Sequence, residues 1–121
     1  MRVAGFGFRQ SATLESLQAA WLAAQPAGVS AIAAPDDKAQ TQVFAAFADA
    51  LSLPVISVDP QDMHAATTVT NSTKVREKRG TGSVAEACAL VAAGASAKLL
   101  QTRVISEDRM ATCAIAEGSS S

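Results

Sequence analysis

The stretch Arg79-Gly80-Thr81-Gly82-Ser83-Val84-Ala85-Glu86 runs from a basic, glycine-containing segment into an alanine-rich one, a combination suited to holding an anion. Ser83 has the chemistry of a helix N-cap, and Glu86, three residues on, that of its reciprocal partner. The first amides of a helix lack intrahelical acceptors, and the helix dipole places partial positive charge on them. With Lys78 and Arg79 just upstream, a carboxylate or phosphate over this turn would be stabilised. Capping explains the serine and the glutamate, but not the basic residues. The motif lacks the Gly-Lys-Ser/Thr ending of a nucleotide phosphate loop, so ATP or GTP hydrolysis is not indicated.

Two further segments offer related chemistry. Gly5-Phe6-Gly7-Phe8-Arg9-Gln10-Ser11-Ala12-Thr13 follows an apolar start and lacks the third glycine of a dinucleotide fingerprint. Pro35-Asp36-Asp37-Lys38 follows a second apolar run. In parallel α/β sheets, ligands settle beyond the carboxyl ends of the strands, where such segments converge. Together they would gather Arg9, Lys38 and Arg79 around backbone amides, and arginine grips a carboxylate with two parallel bonds. The predicted binding set is Gly5, Gly7, Arg9, Lys38, Arg79, Gly80, Thr81, Gly82 and Ser83.

Catalytic chemistry is thinly represented. His64 is the sole histidine and reads as structural or solvated. Asp36, Asp37 and Glu86 could act as acids or bases; helix-start roles suit Asp36 and Glu86 better, and Glu86 is kept as the one catalytic candidate. Asp49, Asp59, Asp62, Glu107 and Asp108 read as solvated surface. Cys88 and Cys113 lack zinc or redox spacing and are expected as buried free thiols. No metal and no cofactor is expected.

The elements that must position these groups follow from periodicity. Met1 to Phe8 reads as a first strand. Thr13 or Ser11 caps a helix carrying Leu14, Leu17, Ala20, Trp21 and Ala24, which Pro26-Ala27-Gly28 ends. Val29 to Ala33 is a second strand, and after Pro35-Asp36-Asp37 one helix places Val43, Phe44, Phe47, Ala48 and Leu51 on a single face. Val55 to Val58 is a third strand. Pro60 to His64 reads as one helical turn, and residues 65–82 as a long polar, basic loop of the kind that carries function. A helix from Ser83 stops at Gly94, and Leu99–Ile105 with Met110–Ala116 form a hairpin. The fold class expected is a single three-layer α/β/α domain over residues 1–117, with a mixed, mainly parallel sheet and a C-terminal antiparallel hairpin, and a flexible tail at 118–121.

Composition sets the outer limits. A chain of 121 residues fits one domain with its own core; 49% of it is apolar but only 4% aromatic, so that core should be compact and aromatic-poor. A formal net charge of −1 provides no field for nucleic acid or anionic membranes, so any basic site must be local. No signal-like start and no membrane-length apolar run is present, and the cytoplasm is the expected location.

The ordered segments resemble a known family, that of CobE and the C-terminal domain of the cobalamin-biosynthesis protein CbiG. The resemblance rests on Gly5-Phe6-Gly7-Phe8-Arg9, Lys38, Leu51-Ser52-Leu53-Pro54, Gly80-Thr81-Gly82-Ser83-Val84-Ala85-Glu86-Ala87, Ala92-Ala93-Gly94 and Ala114-Ile115-Ala116. Ser11 stands where the family is expected to carry glycine, and Arg103 where lysine is common. The resemblance implies a role in making the corrin ring of cobalamin, a branch of porphyrin metabolism. CbiG-type proteins open a lactone on a cobalt-precorrin; no CbiG-like domain precedes the matching region here, so that activity is not carried over. The reading that results is binding or processing of a precorrin tetrapyrrole through its carboxylate rim. The alternatives are a noncatalytic module docking on other cobalamin-pathway enzymes, and a lactone hydrolase using Glu86. A homodimer is compatible with either.

Overall fold

A computed structural model of the chain describes residues 2–25, 27–59, 61–62, 81–94 and 97–118, without the side chains at 81–83. Its elements are β1 (Arg2–Phe8), α1 (Leu14–Ala23), β2 (Ala31–Pro35), α2 (Asp36–Ala39), α3 (Gln42–Leu51), β3 (Val55–Val58), α4 (Thr81–Ala93), β4 (Lys98–Ile105) and β5 (Ala111–Glu117). The strands form one sheet in the order β3-β2-β1-β5-β4. β1, β2 and β3 pair in parallel, while β5 runs antiparallel between β1 and β4. The mixed α/β sheet and the C-terminal hairpin are as expected.

Alternation along β1 divides the core. Ala4, Phe6 and Phe8 face the layer of α1 and α3, and Val3 belongs to the cluster under α4. All four phenylalanines and the single tryptophan gather on the first side. The Phe6 ring centre lies 5.1 Å from that of Phe47, 5.7 Å from Phe44 and 6.4 Å from Trp21. The second side is built from small residues, with Val3, Ala31, Ala33 and Ala116 against Cys88, Ala89, Leu90 and Ala93. That asymmetry lets α4 sit very close to the sheet. A Cβ added at Gly5 would meet the Ala85 carbonyl oxygen at 2.3 Å and the Ala89 nitrogen at 2.5 Å. The backbone of α4 thus occupies the space where a side chain at Gly5 would stand.

Local side-chain chemistry departs from the sequence reading at four places. The single helix expected after Pro35 is two: the Thr41 hydroxyl donates to the Lys38 carbonyl at 2.7 Å and accepts the Phe44 N–H at 3.4 Å, capping α3 afresh. α4 begins at Thr81, so Ser83 is its third residue and not a cap preceding it. Glu86 accordingly looks elsewhere. The β4–β5 register shifts between Gln101 and Val104, and the Arg103 N–H donates to Glu86 Oε2 at 3.1 Å. The carboxylate thus satisfies a strand amide in a bulged region. Lastly, Gly118 is no part of a frayed tail: it is buried, and a Cβ there would lie 1.9 Å from the Ala93 carbonyl oxygen. At the other end of α4 the expected stop is present, with Gly94 at φ 115° and its N–H donating to the Leu90 carbonyl.

Asp108, expected as solvated surface, is exposed yet ties two elements together. Thr13 caps α1, with the Ser16 N–H donating to Thr13 Oγ1 at 3.2 Å and the Thr13 N–H donating to Ser16 Oγ at 3.1 Å. The Ser16 hydroxyl then donates to Asp108 Oδ2 at 2.6 Å, while the Ser106 hydroxyl and the Met110 N–H donate to Oδ1. The Ser106 hydroxyl, followed by that of Ser16, holds the Asp108 carboxyl below its usual range. A carboxyl whose folded pKa is depressed adds stability above its unfolded pKa, and that stability disappears as pH falls through the folded value. Unfolding midpoints of the parent and of Asp108→Asn are therefore expected to differ at neutral pH and to converge as the pH drops below about 4. A gap that stays constant down to acid would contradict this.

Candidate carboxylate-binding site

The carboxyl ends of β1 and β2 meet the first turns of α2 and α4 at an open cleft of about 220 Å³. Gly7, Phe8, Pro35, Asp37, Lys38 and Val84 line it. Each part has a local cause. Pro35 ends β2 and stands at the N-cap of α2, which carries Asp36 and Asp37 in its first turn. Lys38, one residue further, is half-buried and holds its ammonium 5.3 Å from the centre of the Phe8 ring, within cation–π range. The ring steadies a flexible side chain at the cleft. Behind Gly7, the buried Thr112 hydroxyl donates to the Gly7 carbonyl at 3.2 Å, anchoring that wall to β5. The Ser57 hydroxyl donates to Asp36 Oδ1, which leaves Asp37 as the acid facing the cleft.

The predicted residues sort accordingly. Gly7 and Lys38 line the cleft. Arg9 follows directly on β1, exposed, with its N–H donating to the Met110 carbonyl at 2.9 Å. The backbone of Thr81, Gly82 and Ser83 forms the first turn of α4. Gly5 lies deeper, against α4. Arg79 and Gly80, with His64 and the basic residues Lys74, Arg76 and Lys78, lie outside the described residues. Phe8, Pro35, Asp37 and Val84 also line the cleft; all four lie in the segments named from sequence but outside the predicted binding set. An aromatic at the last position of a strand, with a lysine just after the next strand's proline, was the available signal for Phe8; nothing local marks Val84.

Competing chemistries are weak among the described residues. No cluster of His, Cys, Asp or Glu there could hold a metal ion, and no helix there is long and apolar enough to cross a membrane. Cys88 and Cys113 are buried and free, as expected. Burial pushes the Cys88 thiol up to about 12 and raises that of Cys113 as well, so neither supplies a thiolate nucleophile. Glu86 is engaged by the Arg103 N–H.

Residues 2–116 match the family described as Cobalamin synthesis G C-terminus. The chain belongs to that family. Among solved structures, cobalamin biosynthesis protein chiG from Agrobacterium tumefaciens str. C58 is 36% identical with a TM-score of 0.76, over 98% of this chain and 99% of that one. CobE, a protein from the cobalamin (vitamin B12) biosynthetic pathway, is 26% identical with a TM-score of 0.76, over 96% of this chain and 89% of its own. A cobalamin biosynthesis protein G homolog from Sulfolobus solfataricus is 19% identical and shares the fold, with a TM-score of 0.69; the chain covers 37% of it. No curated protein matches the chain. The Cobalamin synthesis G C-terminus domain thus accounts for the whole described sheet, from β1 to the end of β5 but for its last residue.

Proposed function

We propose that this protein binds a precorrin intermediate of corrin-ring synthesis by its carboxylate rim, at the cleft between β1, β2 and the start of α4. The observation that carries this reading is the Lys38 ammonium held over Phe8 at a strand-end cleft. Size supports rim recognition. Pockets that enclose a drug-sized ligand span roughly 300–1,000 Å³, and a cleft of about 220 Å³ suits a side arm of a macrocycle rather than the whole ring. An acetate or propionate arm would meet Lys38 and the first amides of α4, where the helix dipole favours negative charge. Arg9, exposed beside the cleft, is available to a neighbouring arm. The reading is one of binding: Glu86, the candidate acid, is occupied by a strand amide. The cytoplasm is the compartment proposed for this work.

Because the rim is what is recognised, a stable porphyrin octacarboxylate is a sufficient probe. Titration followed by the macrocycle's absorbance is expected to show saturable binding, weakened about tenfold in Lys38→Ala, the loss expected for one charge-assisted hydrogen bond. Absence of binding to the parent protein would sink the reading; parent-like binding by Lys38→Ala would sink the site.

A further inference from the structure

We infer that Arg109 and Arg9 form a second carboxylate-binding point, beside the Lys38 cleft and at the same end of the sheet; the inference rests on the binding reading above. The register decides the placement. Phe8, the last residue of β1, pairs with Ala111, the first of β5, and the Arg9 N–H donates to the Met110 carbonyl at 2.9 Å. The turn that carries Arg109 therefore stands against the end of β1, on the flank away from β2. With neighbouring strands about 4.8 Å apart, the ends of β2 and β5 lie about 10 Å from one another across β1. Lys38 enters from the β2 side of that span and the Arg109 turn from the β5 side, with Arg9, directly after β1, between them.

The turn itself is unusual in what it presents. The Arg109 N–H donates to the Ser106 carbonyl at 2.9 Å, and the Ser106 N–H to the Ala111 carbonyl at 2.8 Å, closing a short hairpin loop. This geometry sends Arg109 to φ 61°, a left-handed position that glycine or asparagine fills at least cost. An arginine there gives up backbone ease, and such outliers point to a function of the side chain. The loop is also held firmly, through the Ser106 and Ser16 hydroxyls on Asp108. Arg9 and Arg109 are both exposed, and among the described residues neither forms an ion pair. Glu107, in the same turn, pairs with neither, and the Asp108 carboxylate is already taken by serines and a backbone amide. Two exposed arginines on adjoining stretches of backbone, neither held in an ion pair among the described residues, fit a carboxylate arm of the same ligand, reached from the β5 side of β1.

The test exploits the strain. Arg109→Gly removes the guanidinium while giving the backbone the residue it favours. Absorbance titrations with a porphyrin octacarboxylate and a porphyrin dicarboxylate are run beside thermal unfolding, on the parent and on the variant. The variant is expected to lose about 5–10-fold in affinity for the octacarboxylate, as for one charged hydrogen bond, and less than twofold for the dicarboxylate. Its unfolding midpoint should stay level or rise. A parent that binds neither porphyrin overturns the rim-binding reading and this inference with it. A parent that binds while Arg109→Gly binds equally well overturns the role of Arg109 alone, as does an equal loss for both porphyrins or a lowered midpoint.

Discussion

Gly5→Ala is expected to be among the most destabilising methyl additions available in this protein. The new Cβ would stand 2.3 Å from one backbone atom of α4 and 2.5 Å from another. Flexible side-chain ends could swing away from such a contact; a helix backbone cannot, so α4 or the centre of the sheet must move. Overpacking of this kind costs roughly 1–3 kcal/mol and sometimes more, and contact with backbone places this case at the top of the range. Against a typical total stability of about 5–15 kcal/mol, the loss is a large share. An unfolding midpoint lower by about 10 °C is the expected reading, from a slope of roughly 3–5 °C per kcal/mol for a chain of this size. Val84, carried on α4, would also shift at the cleft, so porphyrin affinity should fall in whatever fraction remains folded. A midpoint within 2 °C of the parent, at about the measurement's own precision, would show that the helix can retreat freely.

The second large effect lies on the opposite face. Phe6→Ala removes the ring at the centre of the aromatic cluster, which touches Trp21, Phe44 and Phe47 and is fully buried. Deleting a buried phenylalanine ring costs about 3–5 kcal/mol, part from lost transfer energy and part from the cavity left behind. The value should lie toward the upper end here, because rings already in mutual contact cannot collapse far into the space. Phe6→Leu, which keeps much of the volume, should cost about 1.5 kcal/mol or less. Urea unfolding followed by the fluorescence of Trp21, the sole tryptophan, reads both variants. Equal midpoints for alanine and leucine would remove the cavity argument.

The contrast between these two variants shows what the sequence could and could not disclose. Alternation along residues 2–8 and the spacing of Phe44, Phe47 and Ala48 made the strand and the helix legible, because burial of one face depends on periodicity alone. The division of the core into an aromatic side and a small-residue side was hidden, since it depends on which helix covers which face. Composition reads as a compact, aromatic-poor core and is silent on placement, whereas all four phenylalanines and the tryptophan lie on one side. Gly5 was legible only as part of the first strand's segment, because the neighbour that requires a glycine there, Ala85, is eighty residues away. Glu86 illustrates a local rule overridden by tertiary need: the capping-box spacing is present, yet a bulged strand offered an amide and took the carboxylate. The Thr41 cap went unread because apolar spacing continues on both sides of it. Of the candidate cleft, Gly7 and Lys38 were accessible from the rule that ligands gather at strand ends, while Phe8 and Val84 needed the fold to bring them together.

The place of β5 bears on how the chain can reach this state at all. It is the last strand in sequence order but an interior one in space, paired along its whole length with β1, so that Arg2 stands opposite Glu117. Until residues 111–117 are available, β1 lacks one of its two neighbours and β4 has none. The parallel half alone would present β1 as an open edge, the kind of template that invites pairing with another chain. Strand pairing between distant segments is entropically slow to establish. Synthesis from the N-terminus therefore leaves an incomplete sheet exposed until β5 has emerged, and the Arg2–Glu117 ion pair at 3.1 Å joins the two strands at the close of that wait.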